Sequence, residues 1–208
     1  PDVRCEALRE AISRFEQVNM EEILCGNGAA ELFFAAVQAV WPQKALVIAP
    51  SFSEYEEALR SVGAEVEYYY LCEEDNFQIR GDYVDKLSEE IDMIFLCNPN
   101  NPTGQTIDRD MLIKILDRCK KQNIVVILDE CFLEFLDEPN RYEMSDLRGE
   151  YPNLLIIKAF TKIFSMPGLR LGYAISSNQD ILEEMSWKLQ QWNVSVPAQM
   201  AGVAALEK

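Results

Sequence analysis

Two periods of hydrophobic and polar positions alternate along this chain. Cys5, Leu8, Ile12 and Phe15 recur at helical spacing behind Asp2, which reads as an N-cap. Leu32–Val40 is apolar on nearly every side, so a buried helix is expected there. Short, β-branched apolar runs bounded by breakers follow at Ala45–Ala49, Val66–Leu71, Ile91–Cys97, Ile124–Leu128, Leu154–Ile157 and Leu171–Ile175, and they predict strands. The Tyr68-Tyr69-Tyr70 run is most economically part of one of them. Between the strands, Met111, Leu112, Ile115, Leu116 and Cys119 form one helical stripe, and Ile181, Leu182, Met185 and Leu189 form another. Pro197–Leu206 reads as a last helix. Continuous apolar strands alternating with helices predict an α/β fold, a mostly parallel sheet with helices on both faces in three layers, α/β/α.

That architecture says where chemistry belongs. In such sheets ligands bind beyond the carboxyl ends of the strands. Pro50-Ser51-Phe52 follows the Ala45 run, and Asn98-Pro99-Asn100-Asn101-Pro102-Thr103-Gly104 follows the Ile91 run. Asp129-Glu130 follows the Ile124 run, and Thr161-Lys162 follows the Leu154 run. Four separate segments with unusual polar residues are thus predicted to meet on one rim.

Composition removes several alternatives. The 208 residues make about one domain, and an apolar fraction of 49% excludes intrinsic disorder. Nineteen basic against 35 acidic side chains leave a net charge of −16, which argues against a nucleic-acid surface. There is no histidine, so Ser-His-Asp triads and His-containing zinc sites are excluded. The six cysteines never fall in a Cys-x-x-Cys pair; no metal site is expected, and they read as free thiols of a reducing compartment. No apolar run approaches the roughly 18 residues of a membrane span, and nothing near Pro1 reads as a signal peptide, so a cytoplasmic protein is expected. The absence of a starting methionine, and a helix still running near Lys208, suggest part of a longer protein.

Each rim motif has a plain reading and a chemical one. Gly26-Asn27-Gly28-Ala29-Ala30-Glu31 is a flexible turn, or a helix N-terminus whose free backbone N–H groups bind an anion. Glu31 stands where a dinucleotide fingerprint wants Gly or Ala, which makes a Rossmann reading poor. The Asn98–Gly104 stretch is a turn, or a set of amides aimed at a ligand oxygen by flanking prolines. Asp129 is a solvated acid capping the next element, or a partly buried carboxylate holding a cation or a protonated nitrogen. Lys162, among apolar neighbours, is an ordinary surface lysine, or a desolvated amine suited to Schiff-base chemistry. Arg170 is a structural ion pair or a phosphate ligand. Phe52 is a core residue or a stacking platform.

Taken in order, these segments resemble the fold-type I pyridoxal-phosphate enzymes, the class I and II aminotransferases. The residues carrying the likeness are Gly26–Leu32, Asn98–Gly104, Asp129-Glu130, and Thr161-Lys162 through Pro167-Gly168-Leu169-Arg170-Leu171-Gly172-Tyr173. Within that family the chain is most similar to the histidinol-phosphate aminotransferase and threonine-phosphate decarboxylase group. The resemblance implies that residues 1–208 are the large domain that binds pyridoxal 5'-phosphate, with an N-terminal arm and a C-terminal small domain outside this chain. It implies that Lys162 is the Schiff-base lysine and Asp129 the partner of the pyridine nitrogen. Asn101 would hydrogen-bond the ring hydroxyl, and Phe52 would stack on the ring. The loop at Gly28 with the amides of Ala29 and Ala30, the Thr161 hydroxyl and Arg170 would hold the phosphate. Many relatives carry tyrosine three residues after the aspartate, where this chain has Phe132, so a hydroxyl donor is missing there. A homodimer is also implied, because a partner's tyrosine usually completes the site.

The reaction follows from resemblance alone. Asp129-Glu130-Cys131-Phe132-Leu133-Glu134-Phe135, Thr161–Gly168 and Trp192-Asn193-Val194-Ser195-Val196-Pro197 look more like threonine-phosphate decarboxylases than histidinol-phosphate aminotransferases. The expectation is therefore an enzyme acting on a phosphorylated amino acid or amino alcohol, with decarboxylation ahead of transamination to 2-oxoglutarate. An inactive aminotransferase-like binding domain and a nucleotide-binding α/β protein remain as readings from other classes.

Overall fold

In the computed structural model, which describes residues 2–207, seven strands form one sheet in the order β1-β7-β6-β5-β4-β2-β3. The strands are β1 (Ile23–Gly26), β2 (Lys44–Ala49), β3 (Glu65–Tyr70), β4 (Met93–Cys97), β5 (Val125–Asp129), β6 (Leu154–Ala159) and β7 (Gly172–Ile175). The five from β3 to β6 in this order run parallel, while β7 is antiparallel to both β6 and β1. All six strands read from the sequence are present. The Leu171–Ile175 run is the antiparallel one, which its apolar pattern does not reveal. β1 lacks a sequence signal because its four residues, Ile23-Leu24-Cys25-Gly26, are too short to show a period.

Eight helices cover the sheet: α1 (Glu6–Glu16), α2 (Ala29–Val40), α3 (Ser53–Ser61), α4 (Asp82–Lys86), α5 (Arg109–Gln122), α6 (Phe160–Ile163), α7 (Gln179–Lys188) and α8 (Val196–Leu206). The two-residue period of a strand sorts side chains between two cores. Leu46, Ile48, Ile94, Leu96, Val126, Leu128 and Ile156 join the core under α1, α5 and α8. Ala45, Val47, Met93, Phe95, Ile127, Leu155 and Ile157 join the core under α2, α3 and α7. Both cores are close-packed from fully buried aliphatic and aromatic groups, the expected layering.

Three local expectations are corrected. Asp2 is not the N-cap of α1: Cys5 holds that position at φ 52°, and the Asp2 carboxylate instead accepts the Arg4 and Glu6 N–H groups. Phe15 leaves the buried α1 stripe and is 47% exposed, beside Leu206 of α8 and edge-on to Phe164. β3 is only half buried, an edge strand with Tyr70 outside.

Candidate functional site

The strand period also decides which side each rim residue faces. Asp129 continues the parity of Ile127 toward α2 and α3, whereas Glu130 continues that of Leu128 toward α1. A cavity of about 130 Å3 opens on the α2 side of the carboxyl rim. Its walls include Ala29 and Ala30 at the start of α2, Phe52 before α3, Asn101 after β4, Asp129 ending β5, Thr161 and Lys162 on α6, and Arg170 before β7. Eight of the nine residues singled out from the sequence therefore meet at one place, although they span more than 140 positions. The ninth, Gly28, lies directly behind Arg170. A larger cleft of about 510 Å3 runs along β1 between Arg4, Arg9 and α7, and none of these rim residues reaches it.

One end of the cavity is built for an anion. Gly28 precedes α2 at φ 89°, a conformation that costs glycine nothing, and no side chain caps the helix. The N–H groups of Ala29 and Ala30, which have no intrahelical acceptor, are left at the cavity wall with the positive end of the helix dipole. A Cβ on Gly28 would lie 2.6 Å from Arg170 Nη2, so only glycine lets the guanidinium approach. A Cβ on Gly172 would lie 2.8 Å from the Ala29 nitrogen, so this second glycine lets the helix end sit against β7. Glu31, the residue at odds with a dinucleotide fingerprint, has a structural task. Its Oε2 accepts the Asn27 N–H at 2.6 Å and the Asn193 amide at 2.7 Å, which holds the turn.

The cavity wall also carries a buried carboxylate. Asp129 is 5% exposed. Its Oδ2 accepts the Tyr55 hydroxyl at 2.6 Å, and its Oδ1 accepts the Cys131 N–H at 2.9 Å. Burial pushes the Asp129 carboxyl up from its ordinary range, while these hydrogen bonds and the Lys162 charge pull against it. Each oxygen keeps a second lone pair, so the group can still accept from a cationic N–H in the cavity.

Lys162 lines the cavity and is exposed, so of its two readings the solvated lysine holds and the desolvated amine does not. Its apolar sequence neighbours turn elsewhere: Phe160 is fully buried and Phe164 packs on it from the α1 side. The Lys162 ammonium lies 5.3 Å from the centre of the Phe132 ring, a cation–π contact. Of the three asparagines in the post-β4 turn, only Asn101 lines the cavity. Asn98 clasps Ile107 through both main-chain groups, and the Asn100 amide donates to the Pro50 carbonyl and Thr103 Oγ1. Those two brace the loop.

On the opposite face, directly behind Asp129, Lys158 is buried among four carboxylates. Its Nζ lies 2.9 Å from Glu16, 3.2 Å from Glu143, 3.7 Å from Glu134 and 3.8 Å from Glu130. Tyr173 donates to Glu16 as well. Burial pushes the Glu130 carboxyl up to about 8. A separation of 3.8 Å is an ion-pair distance only if Glu130 is charged; with Glu16 and Glu143 closer to the ammonium, the neutral acid is the form at pH 7. The cluster ties α1, the 130–143 segment, β6 and β7 together beneath the rim. Lys158 and Tyr55 both escaped the sequence reading, and only the 3-residue offset from Phe52 to Tyr55 could have placed Tyr55 near the site.

Comparison with known proteins fits this geometry. The family described as "Aminotransferase class I and II" matches residues 1–208. The chain belongs to that family. Its cofactor is pyridoxal phosphate, and a cavity walled by an uncapped helix start with Arg170, a buried carboxylate and an amine suits that group. The threonine-phosphate decarboxylase of Salmonella typhimurium is 36% identical over 207 residues, covering 100% of this chain and 56% of its own. The histidinol-phosphate aminotransferase of Desulfitobacterium hafniense is 38% identical over 213 residues, covering 99% of this chain and 57% of its own. The crystal structure of the histidinol-phosphate aminotransferase from Clostridium acetobutylicum superimposes with a TM-score of 0.92 at 32% identity, over 100% of this chain and 61% of that one. This aminotransferase-family chain thus spans a little over half the length of the curated relatives it matches. Among its described residues, no helix is long and apolar enough to cross a membrane.

Proposed function

We propose that this chain is the cofactor-binding large domain of an enzyme that decarboxylates a small phosphorylated amino acid, of the threonine-phosphate kind. The observation that carries the reading is the cavity itself, with Lys162, Asp129 and the Arg170–α2 anion end on its walls. Bound pyridoxal phosphate supplies an electrophilic aldehyde and a conjugated ring that takes up the electron pair left when a bond to the substrate Cα breaks.

The residues of this chain do the rest. Arg170, the Ala29 and Ala30 amides and the Thr161 hydroxyl hold the phosphate, setting two positive features against its negative charge. The Asp129 carboxylate accepts the ring N–H and keeps a proton on that nitrogen. Asn101 donates to the ring hydroxyl, and Phe52 covers one ring face. Lys162 would be the amine that holds the aldehyde carbon of the bound group, and its Nζ would move the proton to or from the substrate Cα. Phe132 lines the place where a hydroxyl would make a second donor to the ring oxygen, and it offers only an aromatic face.

The decarboxylase direction is supported by the likeness of Asp129–Phe135, Thr161–Gly168 and Trp192–Pro197 to that branch. Transamination of a phosphorylated amino alcohol is the second reading, favoured by the similarity to histidinol-phosphate aminotransferases. A cytoplasmic homodimer is part of the proposal. It is supported by six free cysteines and by the exposed Phe52, Phe135 and Leu169 on segments flanking the cavity. The test supplies the protein with pyridoxal phosphate and compares two substrates. Carbon dioxide and an amino-alcohol phosphate from threonine phosphate, without any oxo acid, is the expected result. Glutamate formed only with 2-oxoglutarate and histidinol phosphate would establish the second reading. Neither product from the cofactor-loaded full-length protein would leave an inactive binding domain.

A further inference from the structure

Tyr55 is a fully buried tyrosine on α3 whose hydroxyl touches the cavity only through another residue. Its ring stacks on Phe95 of β4 at 4.9 Å and 19° and meets Phe33 of α2 edge-on at 5.1 Å. It also meets Phe52 edge-on at 5.7 Å. Three aromatic contacts on three elements fix the ring, so the hydroxyl has little freedom to turn away from Asp129 Oδ2 at 2.6 Å. The titratable groups facing this pair are Cys97 from β4, Cys131 after β5 and Lys162 from α6. Both thiols stay neutral, because burial raises them. Tyr55 and the Cys131 thiol are therefore the two neutral side-chain donors that favour the charged form of the buried carboxylate, and Tyr55 is the one held by aromatic packing.

We propose that Tyr55 is a positioning residue for the cofactor: its hydroxyl keeps Asp129 ionised, and its ring keeps Phe52 over the same bound ring. The proposal rests on Asp129 partnering the pyridine nitrogen. A proton shared between that nitrogen and Asp129 stays on nitrogen only while the carboxylate is the weaker base. Removing the Tyr55 donor strengthens Asp129 as a base and draws the proton to oxygen. The hydrogen bond is charge-assisted and buried, so its loss is expected to shift the proton equilibrium, and the cofactor dissociation constant, by about tenfold.

The test is Tyr55→Phe, which keeps the ring and every aromatic contact. Its control is Tyr83→Phe, which removes a buried hydroxyl that has no hydrogen-bond partner and lies outside the cavity. Each protein is loaded with pyridoxal phosphate carrying 15N in the ring, and the nitrogen chemical shift is read at neutral pH beside the dissociation constant. We expect a protonated nitrogen in the parent and in Tyr83→Phe. In Tyr55→Phe the shift should move toward the neutral-pyridine value, with about tenfold weaker binding. An unchanged protonated shift in a folded Tyr55→Phe overturns the proposal and leaves the cofactor reading standing. A parent protein whose bound ring nitrogen shows no sign of Asp129, being unaffected by Asp129→Asn, overturns the cofactor reading and this proposal with it.

Discussion

Replacing Glu130 by glutamine should make the protein more stable, and increasingly so as pH rises. Glu130 has no exposed surface, one of its oxygens lacks any hydrogen-bond partner, and three other carboxylates share its single cation. Its carboxyl is accordingly raised from 4.5 to about 8, burial being the main cause. The folded protein thus keeps a proton that the unfolded chain gives up above pH 4.5. For an acid raised by folding, stability is lost as pH climbs between those two values and is constant beyond them. At about 1.4 kcal/mol per pH unit, this one group costs on the order of 3 kcal/mol at pH 7 and about 5 above pH 8. Glutamine matches the protonated acid in shape and never ionises, so it carries no such cost. Urea unfolding of both proteins from pH 5 to 9 gives the difference directly, with Glu16, Glu134 and Glu143 common to both. The two stabilities should nearly coincide at pH 5 and diverge by about 1.4 kcal/mol per pH unit up to pH 8 before running parallel. Curves parallel throughout, or a variant less stable at pH 8, would refute a neutral Glu130.

Lys158→Met leaves the buried or half-buried carboxylates of Glu16, Glu134 and Glu143 without their cation and should cost about 3–5 kcal/mol in urea unfolding at pH 7, whereas Lys158→Arg should restore most of it. Gly28→Ala places a Cβ 2.6 Å from Arg170 Nη2 at φ 89°, so absorbance titration should give roughly tenfold or weaker cofactor binding, with little change in overall fold. Phe132→Tyr adds a donor beside the ring oxygen, and the pH-dependent absorbance change of the bound cofactor should move to lower pH; an unmoved transition would mean that this side chain turns away from the oxygen.

Much of the scaffold is legible in the pattern of the chain because each strand in the centre of the sheet is buried on both faces. Ala45–Ala49, Ile124–Leu128 and Leu154–Ile157 then stand out as unbroken apolar runs, and the polar residues after them mark the rim. What escapes is whatever depends on partners distant in sequence. The antiparallel sense of β7 is invisible because a strand buried on both sides reads the same in either direction. Lys158 lies 142 positions from Glu16, and nothing local distinguishes it from the solvated lysines. Tyr55 reads as one apolar position of a short helix; its hydroxyl acquires meaning only from Asp129, 74 positions away. The surroundings of Lys162 mislead for the same reason. Phe160 and Phe164 turn under the sheet, so the apolar neighbourhood seen in the sequence is not the one the amine meets.

The central claim is that one amine, that of Lys162, is placed to bond the cofactor. The chain has nine lysines, and among those in the described residues Lys162 alone is on the cavity wall. Incubation with pyridoxal phosphate, reduction with borohydride and peptide mass spectrometry report which lysine carries the adduct. A single dominant adduct at Lys162 is expected, lost when Asp129 or Arg170 is replaced by alanine. Adducts spread over the surface lysines, or a dominant one at any other position, would contradict it.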